Sequence, residues 1–342
     1  GNNGVSATGD PAMGTAQPTY TAPGGVITSI FGNDDVDTIQ FGDPTGKTGG
    51  TAQNSDGYIF LGSKTRAYGS QDTSVLATDN DGEDHFLVYF LQDTATVTSP
   101  AMLSNPNDAV PGYGPDLTNL GRQNAEHTLT LDGQADTDTY EVFTLGSNGV
   151  DDRNYIINVL DTGDEHDGVD ALTVYGLDSP NSGSDVNHNA YPTDDIFLLR
   201  AASFIPNETA DRPGFVALLH GSLGAYQDVV QFNEESPEVE RINYDTGLNG
   251  RLTVEGRGGN DAFFSDDATV ITTLDGGAGD DSFQVGQIFG EKRNIPDGNL
   301  LPQDVFPELV ATTRGWLSQG ISAPMVVQGG SGNDTFRVYS NQ

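Results

Sequence analysis

The chain has 342 residues, a formal net charge of −36 and no cysteine. That charge excludes nucleic-acid binding through phosphate contacts, for want of cations to release counterions, and anionic membranes repel it; without thiols there are no disulfides, thiolate metal sites or thiol nucleophiles. No apolar run reaches the ~18 residues that span a bilayer, yet 35% hydrophobic residues and sixteen phenylalanines are enough for a folded core.

Residues 1–19 are rich in Gly, Ala, Thr and Pro and read as a flexible arm or linker. A start of GNNGVSATGD, without methionine, suggests a processed product or an excised piece of a longer chain. From Tyr20 onward, residues 20–342 read as a single domain of short alternating apolar segments separated by Gly, Asn, Asp and Pro clusters, the pattern of strands and turns. One stretch, Pro307 to Gln319, carries a helical pattern with proline in its first turn, and a short helix is expected there.

A phrase recurs along this domain: an apolar residue, a turn closing on aspartate, then two apolar residues at period two. It runs from Ile30 to Phe41 around Asp37, from Ala77 to Val88 around Asp84, and from Leu131 to Val142 around Asp138. Three glycine-rich versions surround Asp261, Asp281 and Asp334. Two looser versions end at Asp195, after a long insertion from Val174, and at Asp228, between Leu219 and Val230. Alternation sends one set of side chains inward. The expectation is an all-β fold, a parallel β-solenoid of the β-roll or β-helix kind, with about eight irregular coils. Its Gly-Asp turns stack along one edge, and variable connectors close the coils. One inner column would hold Ile39, Phe86, Tyr140, Phe197, Val230, Phe263, Phe283 and Phe336, and Ser265 would interrupt a second column beside it.

Stacked turns place carboxylates near the strand spacing of about 4.8 Å. Two such charges repel by ~0.8 kcal/mol in water and by ~3 kcal/mol at an effective dielectric of 20. A divalent cation between turns reverses the sign, and calcium accepts hard oxygens in tolerant geometry. Asp37, Asp84, Asp138, Asp195, Asp228, Asp261, Asp281 and Asp334 are therefore candidate ligands. Asp79 and Asp81, with Glu83 and Asp84, resemble a self-contained calcium loop.

The segments GGAGDDSFQ (Gly276–Gln284) and GGSGNDTFR (Gly329–Arg337) match the nonapeptide G-G-x-G-x-D-x-U-x. In this the chain resembles the hemolysin-type calcium-binding, or RTX, repeat proteins. The resemblance implies Ca²⁺ held by Asp281 and Asp334, by Asp261 in the variant GRGGNDAFF, and by turn carbonyls such as those of Gly276, Ala278, Gly329 and Ser331. It also implies export by a type I system and folding in extracellular calcium.

Other features read more plainly. Asp151-Asp152 and Asp266-Asp267 fit solvated loop charges. The five histidines lack metal-ligand spacing, and no G-x-S-x-G elbow accompanies His220-Gly-Ser222. No catalytic set recurs, so an enzyme is not expected. The reading is a calcium-stabilised structural segment of a large secreted or cell-surface bacterial protein: an adhesin, surface layer or matrix filament. Copies would associate end to end or continue into further repeats, without membrane insertion. The alternative is a polysaccharide-binding or polysaccharide-modifying β-helix, with Tyr58, Tyr113, Tyr191 and Trp316 as platforms for surface glycans. A groove holding Arg, Tyr and carboxylates in contact would favour it.

Overall fold

The computed structural model describes residues 5–8, 27–32, 36–42, 59–60, 64–69, 82–89, 91–92, 109–110, 114–115, 129–147, 155–161, 163, 168–177, 194–201, 214–219, 221–223, 230–231, 239–245, 247–289 and 310–340. Among them every regular element is a strand.

Two large sheets dominate. With strands numbered in chain order, sheet A runs β1 (Val5–Thr8), β3 (Thr38–Phe41), β6 (His85–Tyr89), β11 (Thr139–Phe143), β13 (Ala171–Tyr175), β19 (Arg251–Glu255), β21 (Thr272–Asp275) and β26 (Met325–Gln328). Sheet B runs β2 (Ile27–Phe31), β5 (Lys64–Tyr68), β10 (Leu129–Asp132), β12 (Tyr155–Leu160), β18 (Val239–Tyr244), β15 (Gly214–Leu219), β14 (Ile196–Ala201), β20 (Ala262–Ser265), β22 (Ser282–Val285) and β27 (Thr335–Val338). Neighbours are parallel except at two places. β1 lies antiparallel on β3, and β15 lies antiparallel between β18 and β14. Smaller sheets pair β4 (Ile59–Phe60) with β7 (Leu91–Gln92), β8 (Ala109–Val110) with β9 (Gly114–Pro115), and β16 (Ser222–Leu223) with β17 (Val230–Gln231).

Period-two alternation builds the core. In β6, β11 and β13 the even positions are buried and the odd ones half-buried. Register aligns Phe86 with Tyr140, Tyr140 with Leu172 and Leu172 with Leu252. The rings of Phe86 and Tyr140 stack at 5.1 Å. In sheet B, Phe197, Phe263, Phe283 and Phe336 stack at 5.0, 4.7 and 5.1 Å. The single expected aromatic column is thus two columns on two sheets. Ser265 does interrupt the apolar row beside the second, and its hydroxyl donates to the Gly320 carbonyl.

Two further expectations change. Residues 310–317 form no helix: β24 (Val310–Thr312) and β25 (Gly315–Leu317) make an antiparallel hairpin beside β23 (Ile288–Phe289). Thr312 turns its hydroxyl to its own turn, accepting from Arg314 N–H and donating to Gly315 O, a local alternative to helix hydrogen bonding. Gly315, at φ +129°, takes a backbone conformation few side chains tolerate. The segment between Leu219 and Val230 is no parallel copy, because β15 is antiparallel and Val230 pairs in the small β16–β17 sheet. Ala77, where the copy around Asp84 is expected to start, lies outside the described residues.

Candidate metal-binding turns

Seven of the eight predicted turn aspartates lie among the described residues, each immediately before a strand. They do not share one edge. Asp37, Asp84 and Asp138 precede β3, β6 and β11, where the chain passes from sheet B to sheet A. Asp195, Asp261, Asp281 and Asp334 precede β14, β20, β22 and β27, where it passes from A to B. β13 has a column residue at both ends, Asp170 before it and the Asp195 turn after it, and β19 has Asn249 before it and the Asp261 turn after it, so these two strands link the two edges.

On each edge the aspartates form a hydrogen-bonded column. Asp37 N–H donates to Asp84 Oδ1 at 2.8 Å, Asp84 N–H to Asp138 Oδ1 at 2.9 Å, and Asp138 N–H to Asp170 Oδ1 at 2.8 Å. Asp170 N–H then reaches Asn249 Oδ1 at 3.1 Å. On the other edge, Ser147 N–H donates to Asp195 Oδ1 at 2.7 Å, Asp195 N–H to Asp261 at 2.7 Å, Asp261 N–H to Asp281 at 2.8 Å, and Asp281 N–H to Asp334 at 3.1 Å. One carboxylate oxygen per rung therefore serves the turn N–H of the preceding rung, much as an N-cap side chain serves a helix.

The second oxygen explains the glycines. Gly256, Gly276 and Gly329 stand five residues before their aspartates, and a Cβ on any of them would collide with its own rung's Oδ2: Asp261, Asp281 and Asp334 respectively. A Cβ on Gly133 would likewise collide with Oδ2 of Asp138, and one on Gly69 with Oδ2 of Asp84, fifteen residues on. The position above Gly256 faces Asp261 Oδ2 and the Gly276 carbonyl of the next rung, and that above Gly276 faces Asp281 Oδ2 and the Gly329 carbonyl. Oδ2 of Asp138, Asp261 and Asp281 is buried without a hydrogen-bond partner.

Burial pushes these acids up. Asp138 rises to about 9, through burial first and then the carboxylates of Asp84, Asp170 and Asp161. Asp261 rises to about 8 through burial and Asp195, and the less buried Asp281 to about 6. Converging acceptor oxygens of this kind need a proton or a cation between them. The donor chemistry, hard carboxylate and carbonyl oxygens, fits calcium. Side chains alone do not complete a site: among the described residues no group of three or more His, Cys, Asp or Glu is placed to hold a metal ion. Backbone carbonyls would have to contribute. Those of Gly276 and Gly329 face the carboxylates, whereas those of Ala278 and Ser331 accept N–H groups from Gly259 and Gly279.

A second, exposed column runs outside the buried one. Asn260 N–H donates to Asp194 Oδ1, Asp280 N–H to Asn260 Oδ1 and Asn333 N–H to Asp280 Oδ1, each at 2.8 Å.

Sequence reasoning missed Asp170, whose signal is the phrase Asp167-Gly-Val-Asp170 before an alternating strand. It also missed Asp161, which stands where other rungs have glycine and rises to about 9 through burial and Asp170. Asp266 and Asp267 are not solvated: both are fully buried, with Arg200 Nε 2.7 Å from Asp266 Oδ2. Asp79, Asp81, Asp228, Asp151-Asp152, Tyr58, Tyr113 and Tyr191 lie outside the described residues, and so do the histidines other than His85. Trp316 sits half-buried in β25. No protein-family model, no curated protein and no solved structure matches the chain.

Proposed function

We propose that the two parallel sheets are opposite faces of a β-solenoid, interrupted by the antiparallel β15, and that calcium bound at its turns holds the rungs together. On this reading the chain is an RTX-like, calcium-stabilised structural segment of a large secreted or cell-surface bacterial protein, such as an adhesin or matrix filament, exported unfolded by a type I system. The observation that carries it is the convergence of Asp261 Oδ2 with the Gly276 carbonyl, and of Asp281 Oδ2 with the Gly329 carbonyl. Like-signed partial charges at such buried points oppose stacking, and a hard divalent cation converts them into ligands. Asp261, Asp281 and Asp334 would hold the ion with the Gly276 and Gly329 carbonyls. Calcium would supply positive charge between rungs, linking metal binding to folding.

The deciding experiment is a calcium titration of metal-depleted protein followed by far-ultraviolet circular dichroism and thermal melting, with magnesium as control. A calcium-specific gain of strand signal and a melting temperature that rises with calcium concentration are expected. Identical spectra and melting in chelator and in millimolar calcium would sink the reading.

A further inference from the structure

The outward faces of the two sheets differ. On sheet B, outward Thr130, Asn158 and Asn243 are buried, at 4%, 3% and 2% exposure. On sheet A, outward Glu141, Thr173 and Thr253 are only half-buried. On this more open face, rings from three successive strands, Tyr89, Phe143 and Tyr175, stack at 4.5 and 4.3 Å. Glu141 is held from two sides: His85 Nε2 lies 2.8 Å from one oxygen, and the Tyr175 hydroxyl donates to the other at 3.0 Å. The Arg257 guanidinium lies 5.2 Å from the centre of the Tyr175 ring and 5.7 Å from that of Phe143.

Arg257 is in an unusual position. Its φ is +73°, at the turn position where the sister copies place Gly277 (+88°) and Gly330 (+85°). That left-handed conformation is disfavoured for a residue with a Cβ, and glycine would fit it freely. Gln134 adopts the same conformation at φ +78°, but its side chain is packed away at 4% exposure. Arg257 stays half-exposed, with its guanidinium at the aromatic face.

We propose that this face of sheet A, centred on Tyr175, Glu141 and Arg257, is a binding surface for a neutral, hydroxyl-rich glycan. Carboxylate, guanidinium, imidazole and phenol together offer alternating acceptors and donors for hydroxyls beside apolar rings. Local charge selects among partners. Arg257 offsets Glu255, and Glu141 is hydrogen-bonded by His85 and Tyr175, so the patch carries little net charge compared with a chain of net charge −36. A polyanion would be repelled by the rest of the molecule, and a polycation would be drawn to acidic surface anywhere on it rather than to this patch.

The test uses the full chain in saturating calcium, with its fold checked by circular dichroism, in affinity electrophoresis through cellulose derivative, dextran or mannan. Hyaluronan serves as the charged probe. Retention by at least one neutral polysaccharide is expected, weakened about tenfold by Tyr175→Ala and by Arg257→Gly. Arg257→Gly should leave the melting temperature unchanged or raised, which separates lost binding from lost fold. No retention by the neutral polysaccharides, stronger retention by hyaluronan, or retention unchanged in both variants would overturn the proposal. The surface does not depend on the metal reading, which the calcium-dependent spectra report separately.

Discussion

The backbone N–H of Asp261 donates to Asp281 Oδ1 at 2.8 Å across adjacent rungs. Asp281 thereby spends one oxygen on its neighbour's backbone, while its other oxygen faces the Gly329 carbonyl. The side chain has two separable roles: an acceptor for the stack, and a charge that something must neutralise. Asp281→Asn keeps the acceptor and turns an amide N–H toward Gly329. Without calcium it should unfold at the same urea concentration as the parent or a higher one. Asp281→Ala loses the acceptor and should cost about 1–3 kcal/mol. With millimolar calcium the parent should gain more than the Asn variant. If Asp281→Asn and Asp281→Ala are equally destabilised in chelator, charge is not the issue at this rung.

The pH dependence follows in sign. Asp138, Asp261 and Asp281 titrate near 9, 8 and 6 in the folded chain against an ordinary carboxyl value of 3.8. Between these limits the folded state holds more protons than the unfolded one, so stability falls as pH rises. The contribution is fully present below the unfolded value and lost as pH passes through the folded ones. Metal-free protein should therefore show a falling urea midpoint from pH 5 to pH 9, and calcium should flatten that slope. A midpoint that rises with pH in metal-free buffer would contradict the buried carboxyl columns.

Much of this was legible in the residues, for reasons that also set the limits. Phe263, Phe283 and Phe336 announce a stacked column because period two fixes which face a side chain takes. Period two says nothing about direction, so β15 could not be recognised as antiparallel from its apolar run. Nor does it say whether a strand follows or precedes its turn. From the sequence Val174 reads as belonging to the Asp195 turn alone, although β13 has a column residue, Asp170, immediately before it and the Asp195 turn after it. That ambiguity merged two edges into one. Asp266 and Asp267 misled because adjacent acids ordinarily mark solvent, and the partner of Asp266, Arg200, is 66 residues away in sequence.

The glycine facing each aspartate gives a coupled prediction. Gly276→Ala drives a methyl group into Asp281 Oδ2 and should cost about 1–3 kcal/mol, the usual range for overpacking. Combining it with Asp281→Gly removes the atoms that clash, so the double variant should lose less than the sum of the singles. Strict additivity in a denaturation cycle would mean that the two residues do not touch.

The outer column alternates Asp194, Asn260, Asp280 and Asn333, which keeps like charges from neighbouring rungs apart. Asn260→Asp would place three carboxylates on consecutive rungs. In metal-free, low-salt buffer the melting temperature should fall, and added salt should restore much of the loss, since exposed charges are screened. A salt-independent loss would point instead to the amide hydrogen bond that Asn260 makes with Asp194.

The aromatic column of sheet B supplies the sharpest contrast in stability. Phe263 is fully buried between Phe197 and Phe283, at ring separations of 5.0 and 4.7 Å. Phe336 stacks on Phe283 alone and is 54% exposed. Truncating Phe263 to alanine removes contacts on both ring faces and leaves a cavity, so about 3–5 kcal/mol should be lost. Phe336→Ala opens no enclosed cavity and should cost roughly half that or less, scaling with the smaller area taken from water. Chemical denaturation of both variants under one calcium concentration measures the difference. Equal losses would mean that Phe336 is covered in solution, and a negligible loss at Phe263 would remove the continuous column from the fold.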